Sequence, residues 1–562
     1  MSEQFEGTEQ TKGWIKRFEK LKTARGVWDT AWQEIAEHVF PRKAGITQKD
    51  YTPNNNRDAR LYDTTAMDAL GKSVAGYMSW TTNKTQPWYE FTPILQQRRS
   101  DQVKNWLREC SMVSQEYIAD SNFYTERHEY LNDVWGFGTG CMFVTVTPKG
   151  KTHFEKIKIG TYVFWQDENK QACGIIREIK FTAYQAARQF GAENLPKHIA
   201  EKLEKEPDTE CCFYHVVEPR DEAMRSNEEF APSKRKAFLS CYFEKVSGKV
   251  MMEGGFDHFP FMIGRFLNWD ALDFGDVWGY GPGFTLLPES RQLNFFRMMY
   301  DVFVEKKVFP PMAAPDTLEG SLKLAPRAMN YYGAGMQPDA IFPIGVTGDF
   351  VEGEKHIQTR KDMIYRLCHL DMFQMFAQMG SAGREITAFE ASQLAGEKLD
   401  AISPAFDRDT GEFTTPMMTR LFDLWAENGM LPTPPQEAIQ QVGPNLIQLP
   451  TPKVTMTSRL ALALRSISLR SSDALINRIA TLAEVMPSIV DHVDEGFWVR
   501  ESARLSGCDP QLLRPLEDVQ AIQQQRAQAQ QAQMAMMAAK EGAQAVKNIG
   551  GMEKAEQLLG AA

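Results

Sequence analysis

The sequence predicts an α+β protein, and three successive patterns along its 562 residues lead to this conclusion. Apolar residues recur at helical spacing up to about residue 135, alternate with a period of two from about 139 to 268, and return to helical spacing after about 284. The hydrophobic fraction is 43% and the aromatic fraction is 11%, as in an ordinary soluble globular protein. A chain of this length does not fold around one simple core, so we expect two to four domains or layers.

The N-terminal part is predicted to contain three helices. The first covers residues 12–40, where apolar side chains fall three and four positions apart and Pro41 follows. The second begins near Asp63, which we expect to be its N-cap, because an aspartate can accept hydrogen bonds from the first amides of a helix. The third covers about 98–135.

The middle of the chain, from about 139 to 268, is predicted to be mainly antiparallel β structure. Segments such as CMFVTVT, GIIREIKF and AFLSCYFEKV alternate or are continuously apolar, and Gly, Pro and Asp separate them. A short helix is expected near 182–204, between two of these strands.

Two long helices are predicted next, at 284–306 and 353–379. The stretch between them, 308–352, is rich in Pro, Gly and Ala and has no long periodic segment, which indicates a small loop-rich subdomain. On the second helix we expect one apolar side, formed by Ile357, Ile364, Leu367, Leu370, Phe373 and Phe376.

The C-terminal part is predicted to be helical with interruptions. Gly380 to Gly383 interrupt the helix before them, and helices follow at 385–402 and at about 411–428. The sequence LPTPPQEA is typical of a stiff linker. Residues 457–550 return to a helical pattern, and the eight Gln within 520–533 favour an exposed or bundle-forming helix because Ala, Arg and Glu accompany them.

Charge and cysteine content restrict the classes of function. The net charge of −10 argues against tight nucleic-acid binding over the whole surface and leaves weak contact through a local basic patch open. The eight cysteines are scattered without a CxxC pair, so we expect reduced and mostly buried thiols. No run of eighteen apolar residues occurs, so no membrane-spanning helix is expected.

The stretch VWGYGPGFTLLPESRQLN at 277–294 is rich in glycine, as nucleotide-binding loops are, but it does not match the motif of such a loop. Its glycines are spaced G-x-G-x-G, Pro282 lacks an amide that a phosphate would need, and no βαβ pattern surrounds it. Gly71-Lys72-Ser73 resembles the end of a P-loop, but Ala66 stands where that loop needs glycine, within a helical pattern.

Catalytic and metal-binding patterns are also incomplete. His128-Glu129 begins an HExxH zinc motif, but Asn132 occupies the position of the second histidine. Asp407 and Asp409 are interpreted as flanking a turn and capping the next helix. We therefore predict no enzyme activity, no metal and no cofactor, which favours a structural or assembly role.

Three stretches together resemble one known family. They are YDTTAMDALGKSVAGYMSWTTNKTQPWYEF at 62–91, the glycine-rich stretch at 277–294, and REITAFEASQLAGEKLDAISPAF followed by EFTTPMMTRLFDLWAENGMLP. Their order and spacing resemble the portal proteins, or head-to-tail connectors, of short-tailed bacteriophages, over roughly residues 12–520. Two departures are Phe389, where the family usually has a small residue, and Glu289, where an Asp is more usual.

The resemblance implies a portal fold that assembles as a ring of twelve subunits at one capsid vertex. The parts expected from it are the wing (1–283), the first stem helix (284–306), the clip (307–352), the second stem helix (353–379), the tunnel loop with wing or crown helices (380–456), and the crown with a C-terminal helical barrel (457–562). The expected partners are double-stranded DNA in the channel, the terminase large subunit, a tail adaptor, the major capsid and scaffolding proteins, and internal core or ejection proteins, with no membrane. The protein would be made in the host bacterial cytoplasm and reside in the virion.

Two sets of residues receive roles on this basis. Gly281, Pro282 and Gly283 are interpreted as a sharp, stiff hinge between wing and stem, since Pro fixes one backbone angle and glycines accept angles that other residues cannot. Candidates for transient contact with DNA phosphates are Lys355, Arg360, Lys361, Arg366 and Arg384. The alternative, that these cations pair with acidic residues of a neighbouring subunit, is equally compatible with the sequence.

Two other functions stay open from the sequence. A further virion component, such as a tail or internal-core protein, would share the helical and β patterns. A DNA-packaging or DNA-processing enzyme subunit would need a nucleotide loop or a carboxylate cluster for metal, and neither pattern is present in the sequence.

Overall fold

The chain forms two compact units, Met1–Ala461 and Leu462–Ala562. The computed structural model describes residues 7–47, 61–94, 100–147, 150–225, 232–269, 277–310, 312–313, 342–343, 350–373, 400–441, 447–483, 493–494, 496–499, 502, 514 and 516–559. Helices and strands are both abundant, so the predicted α+β class is confirmed. Among the described residues, no helix combines the length and the apolar character needed to cross a membrane.

The described helices are α1 (Glu9–Val39), α2 (Thr65–Thr81), α3 (Asp101–Ala119), α4 (Phe123–Phe137), α5 (Ala183–Phe190), α6 (Lys197–Lys205), α7 (Glu222–Arg225), α8 (Pro282–Val308), α9 (Phe350–Leu367), α10 (Thr415–Glu427), α11 (Arg459–Ala483) and α12 (Leu516–Leu559). The predicted helices at 12–40 and 284–306 are confirmed as α1 and α8. The prediction of one helix over 98–135 is wrong, because a turn at 120–122 separates α3 from α4. In that turn the Ser121 hydroxyl accepts a hydrogen bond from the Phe123 amide and so starts the new helix.

The described strands are β1 (Tyr89–Thr92), β2 (Thr139–Val146), β3 (Thr152–Ile157), β4 (Tyr162–Gln166), β5 (Ala172–Thr182), β6 (Glu210–Pro219), β7 (Phe238–Glu244), β8 (Val250–Phe256), β9 (Phe261–Arg265), β10 (Leu267–Asn268), β11 (Gly279–Tyr280), β12 (Met312–Ala313), β13 (Phe342–Pro343), β14 (Gln440–Gln441), β15 (Ile447–Gln448) and β16 (Lys453–Met456). Between 139 and 268 they form antiparallel sheets in the orders β4-β5-β6-β7-β8 and β3-β2-β9, which confirms the predicted β region. The pairing of β1 with β16 was not predicted.

Helices cover both faces of the five-stranded sheet. On one face, Trp14 and Phe18 of α1 pack against strand residues that include Ile176, Tyr214 and Phe243. On the other face, the apolar sides of α5 and α6 pack on residues such as Phe213, Tyr242 and Met251. The sheet is therefore buried from both sides, which explains why β6 and β7 are mostly apolar rather than strictly alternating.

Polar side chains from helices and from the turn before α4 cover edges of the smaller sheets. Asn122 accepts from the amide of Phe154 on β3 and donates to its carbonyl, as a neighbouring strand would. The Glu412 carboxylate accepts from the Arg265 amide on β9, and the Ser111 hydroxyl accepts from the Phe91 amide on β1. Satisfied in this way, these edge groups are not available for pairing with another chain.

The predicted helix 353–379 is interrupted, so that prediction is wrong in part. α9 ends at Leu367, a turn occupies Cys368 and His369, and residues 370–373 are helical again; positions 374–379 lie outside the described residues. His369 has φ of 54°, a left-handed conformation that non-glycine residues rarely adopt.

The second unit contains the long helix α12, which confirms a helix for the Gln- and Ala-rich segment. Its side chains, where described, are almost all exposed, including Met534, Met536 and Met537. The described side chains of this 44-residue helix therefore add little packing stability, since most helix stability comes from a buried face.

The seven described cysteines are free thiols, and five of them are buried. Burial raises the pKa of the Cys110, Cys241 and Cys368 thiols to about 12, so they stay protonated and unreactive at neutral pH. The prediction of reduced, mostly buried thiols is confirmed for these residues; Cys508 lies outside the described residues.

Candidate functional site at the junction of α4, α8 and α9

The glycine-rich stretch lies at the start of α8 and packs backbone to backbone against the end of α4. A Cβ atom added at Gly283 would lie 2.0 Å from the carbonyl oxygen of Gly136, and one added at Gly281 would lie 2.7 Å from the carbonyl oxygen of Val134. Pro282 occupies the first turn of α8, where its missing amide costs nothing. The junction is therefore a close contact between two helix ends with no room for side chains.

We expected Gly281 and Gly283 to adopt backbone angles that other residues cannot, and this expectation is wrong. Gly281 has φ of −127° and ψ of 172°, an extended conformation open to any residue, and Gly283 has no positive φ. The glycine in this junction that needs a left-handed angle is Gly138, which ends α4 with φ of 80°. Close approach, rather than backbone angle, requires glycine at 281 and 283.

Hydrogen bonds fix the chain just before α8. The Gly279 amide donates to the Thr139 hydroxyl at 2.8 Å in a buried position, and β11 pairs with β10 across Leu267 and Tyr280. The Phe266 amide donates to the Gly138 carbonyl at 3.0 Å. The entry to α8 is thus held on both sides by the β region.

Contacts near the middle of α8 attach it to the start of α2. The Asn294 side-chain oxygen accepts from the amides of Tyr62 and Asp63, at 2.6 and 3.3 Å. The second helix begins at Thr65 with Thr64 as its N-cap, so the prediction that Asp63 is the N-cap is wrong by one position. The Asp63 carboxylate still accepts a hydrogen bond from the Thr65 amide.

Two of the predicted channel cations join α9 to these same helices. The Arg360 guanidinium lies 2.8 Å from the Glu289 carboxylate of α8 and above the Phe296 ring, 5.1 Å from its centre. The Lys361 ammonium lies 3.5 Å from the Asp63 carboxylate. Both cations therefore have acidic partners within their own chain, a possibility that sequence reasoning did not consider.

The other predicted cations differ from this pair. Lys355 and Arg366 are exposed on α9, and neither side chain makes an ion pair with another described residue. Arg384 lies outside the described residues. Of the five candidates, the structure brings Arg360 and Lys361 into the α2–α8–α9 contact and leaves Lys355 and Arg366 facing solvent.

The free faces of α8 and α9 have opposite character. Between positions 295 and 302, the exposed side chains on one side of α8 are apolar: Phe295 is 55%, Met299 49% and Val302 38% exposed. At 100° per residue these three positions fall within 60° of one another. On α9, Lys355, Asp362 and Arg366 are exposed and share one side in the same way.

A buried charge pair connects α4 to the long helix that leads into α10. Residues 400–409 are helical and continue through a π turn (Thr410–Thr414) into α10, so Asp407 and Asp409 do not flank a turn, and that interpretation is wrong. Pro416 has no amide to bond to the carbonyl four residues earlier, which favours the wider turn just before it. Asp409 forms an ion pair with the fully buried Arg127.

The surroundings of this pair are aromatic. The Tyr77 hydroxyl donates to Asp409 at 3.1 Å, and burial raises the Tyr77 pKa well above its usual value, so the hydroxyl remains a donor. The Arg127 guanidinium lies 4.2 Å from the centre of the Phe413 ring. This pair has the environment of a structural contact between α2, α4 and the helix that precedes α10.

Another arrangement, His215 beside Ser240, has the residue types of a nucleophilic pair. The Arg177 guanidinium donates to His215 Nδ1 at 3.2 Å, so the proton of the neutral imidazole is on Nε2 and points to the Ser240 hydroxyl, 3.0 Å away. A nitrogen that already carries a proton cannot take one from serine. Burial holds the His215 pKa well below its usual value, and the group serves as a core hydrogen-bonding element.

The motifs rejected from the sequence lie in ordinary helices. Gly71, Lys72 and Ser73 are inside α2, where Ser73 bonds back to a helix carbonyl. Asn132 bonds to the His128 carbonyl within α4. Among the described residues, no group of three His, Cys, Asp or Glu side chains is placed to hold a metal ion.

The chain is similar to known proteins over nearly its whole length. Residues 11–513 match the family described as "Bacteriophage head to tail connecting protein". The chain is 26% identical over 549 residues to the "Probable portal protein" of Bordetella phage BPP-1, which covers 97% of this chain and 96% of that protein. It is 25% identical over 545 residues to the "Portal protein" of Salmonella phage epsilon15, covering 95% of this chain and 94% of the relative.

Proposed function

The chain belongs to the bacteriophage head-to-tail connecting protein family, and from this we propose that it is the portal subunit that forms a ring of about twelve copies at one capsid vertex. The ring encloses the channel through which double-stranded DNA is packaged and ejected. The terminase large subunit docks on it first and a tail adaptor later, while the major capsid, scaffolding and internal core or ejection proteins surround it. The portal names of both relatives support this assignment.

The observation that carries the ring proposal is the unburied apolar side of α8. Phe295, Met299 and Val302 lie along one side of a helix whose first half is packed against its own chain. Apolar stripes of this kind mark protein interfaces, and the same stripe on every copy gives a repeating contact around a ring. In this proposal, α8 and α9 form the stem, residues 1–283 the wing, 307–352 the clip, 380–456 the tunnel loop with wing or crown helices, and 457–562 the crown and barrel.

The polar side of α9 is proposed to face the channel. Lys355 and Arg366 are exposed cations there, with Asp362 between them, and the whole subunit carries a net charge of −10. The acidic subunit as a whole repels the duplex on average, and the two cations steady it at a few points, so that DNA slides without being held tightly. Arg360 and Lys361 hold the helices together in this proposal, and Arg384 remains a candidate for phosphate contact.

The ring is tested by electron microscopy and native mass measurement of the purified full-length protein, alone and co-expressed with the scaffolding protein of its phage. Rings of about twelve subunits around an open hole are expected in at least one of these samples. Failure to form rings in both, or ATP hydrolysis or DNA cleavage by the pure protein, would contradict the portal assignment and favour another virion component or a DNA-processing subunit.

The channel assignment is tested by reversing the charge of Lys355 and Arg366 together, to Glu, in phage particles. We expect fewer filled heads or slower ejection with rings still formed. The matched control is Lys16→Glu with Lys20→Glu, which makes the same charge change on two exposed positions of α1. If the α9 variant and the α1 variant package and eject DNA equally well, Lys355 and Arg366 do not contact DNA.

A further inference from the structure

Arg420 is an exception among the buried arginines of the first unit. Among the described residues, five arginines are buried, and four of them lie within 4.0 Å of a carboxylate oxygen. These four pairs are Arg25 with Asp29, Arg127 with Asp409, Arg177 with Glu155, and Arg265 with Glu412, at 2.5 to 3.0 Å. Arg420 is 3% exposed, and no carboxylate of the described residues lies within 4.0 Å of it. Because a buried charge is costly unless it is compensated, Arg420 lacks what stabilises the other four.

The Arg420 guanidinium donates hydrogen bonds only to backbone carbonyls among the described residues. Its Nε donates to the Val144 carbonyl of β2 at 3.2 Å, and its Nη1 donates to the His258 carbonyl at 3.0 Å. It also lies above the Phe256 ring, 5.1 Å from its centre. Carbonyls accept protons but carry no net charge, so the positive charge of the guanidinium is not neutralised by these contacts. Burial accordingly lowers the pKa of Arg420 to about 10.

The acidic groups nearest to this guanidinium have other partners or face solvent. The Asp257 carboxylate lies 2.7 Å from the Lys236 ammonium, and the Asp423 carboxylate lies 2.7 Å from Nε2 of His258. The hydrogen bond with Asp423 raises the His258 pKa, so each of these two pairs is neutral as a whole. Glu427 is exposed and lies two turns further along α10. These carboxylates offset the effect of burial only in part.

Arg420 lines a cleft between α10 and the turn that joins β8 to β9. The cleft volume is about 30 Å³, and on this scale one water molecule needs about 10–15 Å³. Phe256 and Leu424 contribute apolar walls. The cleft therefore has room for a group with two oxygen atoms, such as a carboxylate, and is too small for a nucleotide.

We propose that this cleft binds a carboxylate group, whose oxygens accept hydrogen bonds from the Arg420 guanidinium. Two of the five N–H groups of Arg420 bond to carbonyls, so three remain for the ligand. A guanidinium is the side chain best matched to a planar carboxylate, and the ligand supplies the negative charge that the buried cation lacks. The site belongs to the subunit itself and does not depend on ring assembly.

The test is urea unfolding of the full-length protein at neutral pH, in sodium acetate and in sodium chloride of equal ionic strength. Acetate that binds only the folded protein lowers the unfolding equilibrium constant, by about tenfold at ten times its dissociation constant. We expect this effect in the native protein. Arg420→Met should keep only the general effect of acetate on protein stability. Equal acetate effects in the native protein and in Arg420→Met would overturn the site.

The matched control is Arg177→Met, the same change at another buried arginine. Its partner Glu155 is half exposed and can be hydrated when the arginine is removed, and the acetate effect should remain as large as in the native protein. If Arg420→Met does not fold, Leu424→Trp decides, because it fills the cleft and leaves the guanidinium in place. Loss of the acetate effect in Leu424→Trp is the expected result, and a full effect would overturn the site.

A free small acid and an acidic side chain of another copy present the same carboxylate, and assembly distinguishes these two sources. If the ligand is a free acid, acetate should protect assembled rings and single subunits alike. If a side chain of a neighbouring copy enters the cleft, the acetate effect should be present in single subunits and absent in rings. Only this comparison rests on the proposed ring, whose formation electron microscopy shows independently.

Discussion

Helices α4 and α8 meet at the glycine junction and yet are buried to very different extents. α4 has 15 residues, of which ten are buried, among them Arg127 and Asp133. α8 has 27 residues, of which five are buried, all between Pro282 and Leu293. Beyond Leu293, α8 carries exposed Phe295, Met299 and Val302.

Apolar content does not explain this difference, because α8 is exposed where it is apolar and α4 is buried where it is charged. Arg127 and Asp133 can be buried because partners surround them: Asp409 for Arg127, and Lys43 and Lys156 for Asp133. α4 is completed within its own chain, whereas the second half of α8 packs against α9 on one side and leaves Phe295, Met299 and Val302 exposed on another. The difference in burial thus separates a core helix from a helix whose exposed side we propose as an interface.

The largest expected effect comes from breaking the buried pair of α4. Asp409→Leu leaves the fully buried Arg127 without a carboxylate, which should lower the free energy of unfolding of the first unit by about 3–5 kcal/mol. Denaturant unfolding followed by tryptophan fluorescence measures it. The control is the double variant Arg127→Met with Asp409→Leu, which should recover most of the loss. A loss under about 1 kcal/mol in the single variant is what an exposed ion pair would give, and it would contradict the burial of this pair.

A smaller effect is expected at the contact between the two helices. Gly283→Ala puts a Cβ atom 2.0 Å from the Gly136 carbonyl oxygen, and neither backbone can move without disturbing its helix. We expect a loss of about 1–3 kcal/mol in the free energy of unfolding. The matched control is Gly13→Ala on α1, where nothing lies within 4 Å of the new atom and a gain of about 0.5–1 kcal/mol is expected. Equal outcomes at the two sites would contradict the close packing.

These two sites show how far sequence reasoning reached. The glycines at 281 and 283 were identified from the sequence, but the atoms that exclude a side chain belong to Val134 and Gly136, almost 150 positions earlier. The Arg127–Asp409 pair joins residues 282 positions apart, so no local pattern could indicate it. Periodicity located helices and strands because it depends only on neighbours in the chain.

One incorrect prediction had a signal in the sequence that was misinterpreted, and another had none. The interruption of the helix at Cys368 can be seen in the sequence, because Phe373 falls opposite Ile364 on any continuous helix. The ion pairs of Arg360 and Lys361 had no such signal, since Glu289 lies on α8 and Asp63 lies just before α2. The sequence led us to expect these cations to contact DNA or a neighbouring subunit, and only the fold could show that Arg360 and Lys361 pair within their own chain.

The smallest expected effect on the subunit is at the exposed end of α8, where Phe295→Ser with Met299→Ser should change the free energy of unfolding by less than about 0.5 kcal/mol. The same variant should prevent or weaken ring formation, because the proposed contact with the next copy loses its apolar side chains. Sedimentation measures assembly, and denaturant unfolding measures the subunit. Leu286→Ala, in the buried half of α8, is the control and should cost the subunit about 2–5 kcal/mol. Rings that persist in the double variant would mean that the apolar side of α8 is not what joins the copies, and the contrast between α4 and α8 would then need another explanation.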